Sequence, residues 1–321
     1  MAAVAYRRGD SADDSVTGPV RRRRLYPALA SALLALAAYF FVTKSVAIVS
    51  GGVLPSRAAA GQFICYWLLF VCSALGAGVA WDQFCGAPLL SLARRFWVDI
   101  TIAFALCIGA ALIRCLGPIT GADDELLHLG DVIRLHTNPE VGVTTTSLSS
   151  VPYVLDWAII FINDVSYKVF DTFIVMKILS ILVAAVSVGV WYLTGRMYFS
   201  RSISLCGSLL VTFWGWHYVN SRFVYVYPFD FLVIAIAALS ATLAIRRALV
   251  TAAVALGVSL ACSIALKKVS IMVFPFTAYV FFDALLTTKG RGRWRIVGLG
   301  FVIGLAPVSY THLTLPTILL V

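Results

Sequence analysis

The chain has 321 residues, is 61% hydrophobic, and has a mean hydropathy of +0.93. Soluble domains are usually about 45–50% apolar, so composition excludes an ordinary soluble globule and points to an integral membrane protein. The net charge of +10 would suggest nucleic acid in a soluble protein, but here Lys and Arg fall between apolar runs, where they set topology.

Residues 1–24 are polar and charged and read as a cytoplasmic tail, with no cleaved signal. Arg21 to Arg24 precede the first apolar run, about Leu25 to Val49, and hold that end in the cytoplasm. Further runs follow at about Phe63 to Trp81 and Phe96 to Leu116, completing an N-terminal membrane region over 25–117. Counted from an inside start, the third run exits on the extracytoplasmic side.

Residues 118–168 are too polar to span as a whole. Asp124 to Leu135 places apolar residues among charges, as in a short interfacial helix. Val151 to Ile162 is apolar but only about twelve residues long, which fits a re-entrant or interfacial helix. The next runs cover about Phe170–Leu193, Ile203–His217, Phe229–Ala244, Leu249–Leu266 and Val269–Leu286, with a last one from Ile296. Basic residues fall at each expected cytoplasmic turn. The predicted architecture is all-α and polytopic, with roughly eight or nine transmembrane helices and residues 169–307 as its second half. Val308 to Thr317 reads as a translated adaptor tail, so 308–321 is expected to be non-native and His312 carries no weight.

Seven cysteines lie mostly in apolar runs, with no CxxC pair, and read as small buried hydrophobes.

The chemistry concentrates in Asp123-Asp124-Glu125 and His128, three acids and an imidazole in a chain that is only 12% charged. Acids also favour helix N-termini for electrostatic reasons alone. His128 shares a helical face with Asp124 and Glu125, a set that could hold a divalent metal, although a hydrogen-bonding histidine is the simpler reading. No cofactor is required. His136 and His217 have less support. Asp230, after Pro228, is costly in an apolar run unless partnered, and Arg222 or Lys267 are its expected partners. Lys267 and Lys268 fall on the outer side, against the positive-inside bias, which a phosphate-bearing lipid would explain. Snorkelling to headgroups is the plain alternative. Trp214, Trp216, Tyr218, Phe223, Tyr225 and Tyr227 read as an interfacial aromatic belt.

Four stretches carry a family resemblance: Asp124-Glu125 before an interfacial helix; Lys177 with Ser180, running to Tyr192, Gly195, Arg196, Phe199 and Arg201; Ser221-Arg222 with Asp230; and Leu266-Lys267-Lys268 to Phe274-Pro275. In order and sidedness they resemble the GT-C superfamily of polytopic glycosyltransferases, in its branch of protein O-mannosyltransferases and lipid A aminoarabinose transferases. Lys177 stands where that family commonly has Arg, Lys268 where it has Gly, and His128 where it has an aromatic. The resemblance implies inverting transfer of a sugar from a polyprenyl-phosphate donor to a protein, lipid or glycan acceptor. Asp124 would be the general base, flanked by Asp123 and Glu125, in an extracytoplasmic catalytic loop over 118–168. Asp230, Arg222, Lys267, Lys268 and His128 would bind substrate. Membrane lipids are expected partners and nucleic acid is not. The rival reading is a transporter or lipid flippase, which would need paired broken helices or mid-membrane charge.

Overall fold

The computed structural model describes residues 29–40, 57–84, 96–116, 123–138, 154–247 and 249–266, with 278, 298 and 302 singly. Among the described residues there is no strand, and the fold is all-α. The helices are α1 (Leu29–Phe40), α2 (Arg57–Phe84), α3 (Trp97–Cys115), α4 (Asp123–Thr137), α5 (Val154–Phe170), α6 (Phe173–Arg196), α7 (Arg201–Phe213), α8 (Gly215–Asn220), α9 (Tyr227–Arg247) and α10 (Val250–Leu266). Four stretches are long and apolar enough to cross a membrane: Ile64–Gln83 in α2, Trp97–Cys115 (α3), Phe173–Arg196 (α6) and Tyr227–Arg246 in α9. These four helices account for part of the eight or nine expected. The runs at Val269–Leu286 and from Ile296 fall almost entirely outside the described residues, as do the tails 1–24 and 308–321.

The main packing order through the bundle is α3, α6, α9, α10, α2, with α7 also against α6 and α4 against α5. α3 and α6 are antiparallel neighbours that come very close. A Cβ built on Gly189 would lie 2.5 Å from the Sγ of Cys107 and 2.9 Å from the carbonyl oxygen of Ala103. Glycine is therefore the residue that fits between these two backbones. On α7, Ser204, Ser208 and Thr212 form a buried stripe of small residues. Each hydroxyl donates to the carbonyl four residues earlier, so none is orphaned. The other faces of α3 and α7 present Phe104, Ile108, Leu112, Ile203 and Leu210 outward. A wholly aqueous surface would not tolerate so much contiguous apolar area.

In two places the helices depart from the sequence expectation. The apolar stretch Ile203–His217 is not one helix. α7 ends at Phe213, Trp214 takes an extended conformation (φ −62°, ψ 118°), and α8 begins at Gly215. From Val154 on, the apolar stretch expected to end at Ile162 belongs to a longer helix, because α5 continues through Asn163 and Asp164 to Phe170. The helix then ends at a bend at Asp171, whose φ of 49° an Asp tolerates better than most residues. Its amide donates to the carbonyl of Tyr167.

α4 forms where the charged, amphipathic pattern predicts it. Val132 and Leu135 are buried against Ile160 of α5, Met176 of α6 and Val224. The Nδ1 of His136 lies 3.3 Å from the buried Asp164 carboxylate and ties α4 to α5. At the other side of the bundle, Leu34 of α1 packs with Phe70, Ala74 and Ala77 of α2 and with Val250 and Val254 of α10. Asp82 of α2 caps α10: its carboxylate accepts from the backbone amides of Val250 (2.7 Å) and Thr251 (3.0 Å). A carboxylate at a helix N-terminus meets unsatisfied amides and the positive end of the dipole.

Candidate functional site: a cation-lined cavity at one end of the bundle

Charge is concentrated at the two ends of α3. In its first turn, the buried Asp99 accepts on Oδ1 from the Tyr192 hydroxyl (3.0 Å), Arg196 Nε (2.9 Å) and Arg201 Nε (3.1 Å). Arg196 also donates to the carbonyl of Phe199. The spaced residues Tyr192, Arg196, Phe199 and Arg201 thus have a direct physical meaning. They bend the α6–α7 turn around one carboxylate of α3. Gly195 belongs to the same device, since a Cβ there would stand 3.2 Å from the Oγ of Ser204.

In the last turn of α3, Arg114 is fully buried. Its Nε donates to Ser221 Oγ (2.9 Å), Nη1 to the carbonyl of Ala110 (3.0 Å), and Nη2 to the carbonyl of Thr212 (3.3 Å). Nη2 also lies 2.6 Å from Nδ1 of His217. The Thr212 carbonyl belongs to the C-terminal end of α7, exposed by the break at Trp214. A guanidinium there meets free carbonyls and the negative end of a helix dipole. Arginine can only donate, so His217 Nδ1 is the acceptor and carries no proton. His217 is therefore a neutral imidazole with its hydrogen on Nε2, which lies 3.0 Å from Ser187 Oγ. Ser187 passes its own hydrogen to the carbonyl of Ala184 at 2.6 Å. Phe231 packs on the His217 ring at 4.3 Å between centroids.

Arg222 follows Ser221. It is 8% exposed, its guanidinium lies 5.6 Å from the centre of the Tyr218 ring, and its buried Nη2 has no hydrogen-bond partner among the described residues. The expected pairing with Asp230 is therefore not made by that nitrogen. Asp230 itself is buried in the first turn of α9.

Arg114, Lys177 and Arg222 line one cavity of about 170 Å³, with Cys115, Ile174, Ile178 and Ile181 as its remaining wall. Three cationic side chains from α3, α6 and the α8–α9 turn thus share one small space with an isoleucine wall. An anion with an apolar body fits that chemistry. Its charge would meet guanidinium donors of fixed geometry. From the isoleucine wall an exposed apolar stripe continues along α6 through Ile174, Ile178, Leu182 and Val186.

Of the substrate-binding residues the sequence singles out, Arg222 lines this cavity, and Asp230 is not among the described residues of its wall. Asp123, Asp124, Glu125 and His128 occupy the first turns of α4, but their side chains lie outside the described residues, as do Lys267 and Lys268 entirely. Among the described residues, no three His, Cys, Asp or Glu side chains gather as a metal site. Sequence reasoning missed Arg114 and Asp99, and gave His217 little support. Lys177 entered only as a motif position. The available signal was an arginine near the end of an apolar run, since an ionisable residue there marks a partner or a site.

No protein-family model matches this chain, and no curated protein or solved structure matches it either.

Proposed function

We propose that the protein is a membrane glycosyltransferase that moves a sugar from a polyprenyl-phosphate donor to an acceptor at the extracytoplasmic face, with inversion. The observation that carries this reading is Arg222: a buried guanidinium whose Nη2 has no partner among the described residues, at a cavity that Arg114 and Lys177 also line. The isoleucine wall and the apolar stripe beyond it suit the prenyl chain of such a donor. The N-terminus lies in the cytoplasm and the protein has eight or nine spans in this reading. The cavity then opens at the outer leaflet, the side on which Arg114 ends α3.

In the reaction, Asp124 takes the proton from the acceptor hydroxyl, with Asp123, Glu125 and His128 beside it. The acceptor oxygen bonds to the anomeric carbon from one face while the bond from that carbon to the phosphate oxygen breaks on the other. The electron pair stays on the departing lipid phosphate, where Arg114, Lys177 and Arg222 stabilise the growing charge. Fixed donors of this kind act most strongly in a site shielded from water. A general base typically contributes about 10²–10⁴ in rate. Asp230, Lys267 and Lys268 complete the substrate contacts.

The test is consumption of a labelled polyprenyl-phosphate sugar by membranes containing the full-length protein. The expected result is release of lipid phosphate, abolished by Asp124→Asn at unchanged expression. Unchanged turnover in that variant would exclude Asp124 as the base. A labelled lipid that crosses the bilayer with its sugar still attached would replace the transferase with a flippase.

A further inference from the structure

The chain of contacts behind the cavity has a direction. Ser187 donates to a backbone carbonyl, so its oxygen is left to accept from His217 Nε2. That fixes the imidazole tautomer, and Nδ1 is left to accept from Arg114. Arg114 has five N–H donors. Its contacts to Ser221, Ala110, Thr212 and His217 use four of them. One Nη1 hydrogen remains uncommitted among the described residues, in a side chain that lines the same cavity as Arg222 with its unpartnered Nη2. A lysine could not be held this way, because the planar fork is what lets one face be tied back while another donor stays available.

We infer that His217 is a positioning residue: through Nδ1, and braced by Ser187, it aims Arg114 so that Arg114 and Arg222 together grip one phosphate group in the cavity. The inference rests on the reading of the cavity as a lipid-phosphate site, but not on sugar transfer. His217 touches no substrate. It acts only by fixing the guanidinium, and any group that accepts at the position of Nδ1 serves equally.

The experiment uses the purified full chain in a mild non-ionic detergent. Its probe is octyl phosphate, and the readout is the rise in unfolding midpoint, since a ligand bound only to the folded state stabilises it. Octanol and inorganic phosphate are the comparison arms. Octyl phosphate is expected to raise the midpoint of the native chain, and octanol is expected to leave it in place. A response to inorganic phosphate as large as that to octyl phosphate identifies the ligand as a free anion and overturns the lipid-phosphate assignment. His217→Leu removes the acceptor and is expected to weaken octyl phosphate binding about tenfold or more, the worth of a hydrogen bond to a charged group. His217→Asn puts its Oδ1 where Nδ1 was and is expected to recover most of that loss. If His217→Leu does not fold, Ser187→Ala carries the test, with binding expected to weaken about threefold.

Octyl phosphate binding as tight in His217→Leu or Ser187→Ala as in the native chain overturns the inference. So does an Asn variant as weak as the Leu variant, or a native chain that gives no shift. Octyl phosphate binding that weakens and recovers as expected, with no sugar ever transferred, removes the transferase reading and leaves the role of His217 standing.

Discussion

At one end of α3, a single carboxylate oxygen of Asp99 collects three donors from α6 and α7. At the other end, Arg114 is held by neutral acceptors, and Arg222 keeps a buried Nη2 with no partner among the described residues. Both ends bury charge, and burial costs free energy in either case. Asp99 offsets that cost within the fold, so its cluster works as a latch. The Arg114 end leaves a cationic donor unused by the described residues beside a cavity, and a structural latch has no use for that. Substitutions at the two ends should therefore separate stability from binding.

The largest expected loss of stability is at the latch. Asp99→Ala leaves Tyr192 and Arg196 without their shared acceptor, along with Arg201, which is 57% exposed and screened by water, and should destabilise by roughly 2–3 kcal/mol. Unfolding in mild detergent measures it, and a change under about 0.5 kcal/mol would mean that the latch is only decorative. Next comes the α3–α6 contact. Gly189→Val forces a side chain into Cys107 and the backbone of Ala103, and overpacking of this kind costs about 2 kcal/mol. An unfolding midpoint equal to that of the native chain would show that α3 and α6 can separate freely. Asp82→Ala removes the α10 cap and should cost about 1 kcal/mol. Faster amide exchange confined to the first turn of α10 is its signature. Smallest of all is Arg222→Met, which removes a buried nitrogen with no partner among the described residues and should change stability by no more than about 0.5 kcal/mol. It should nevertheless abolish the response to octyl phosphate. A variant that unfolds like Asp99→Ala but binds normally would reverse the contrast between the two ends.

Much of this was legible in the sequence. The runs that became α2, α3, α6 and α9 are continuous and apolar, and the charged amphipathic pattern after Asp124 became α4. The break at Trp214 was not legible, because Phe213-Trp214-Gly215-Trp216 is as apolar as a helix interior and contains no proline. It becomes intelligible only once Arg114 is seen to need the carbonyl of Thr212. The spacing Tyr192, Gly195, Arg196, Phe199 and Arg201 was visible as a pattern, but its target Asp99 lies in another helix, and only packing reveals it. Arg222 was visible as a candidate phosphate contact and partner of Asp230, but its seat against the Tyr218 ring comes from the turn that follows α8. Arg114 was passed over and His217 given little support for one reason. Each is a lone polar residue in or beside an apolar stretch, and its meaning depends on a contact more than a hundred positions away.

The cap on α10 has a consequence in time. Asp82 and the amide it accepts from, that of Val250, are 168 positions apart. Translation proceeds at about 5–20 residues per second, so α2 leaves the ribosome roughly ten to thirty seconds before its partner is made. Throughout that interval the carboxylate must stay hydrated at the membrane surface, and the insertion machinery has to deliver α10 beside a helix that has been waiting for it.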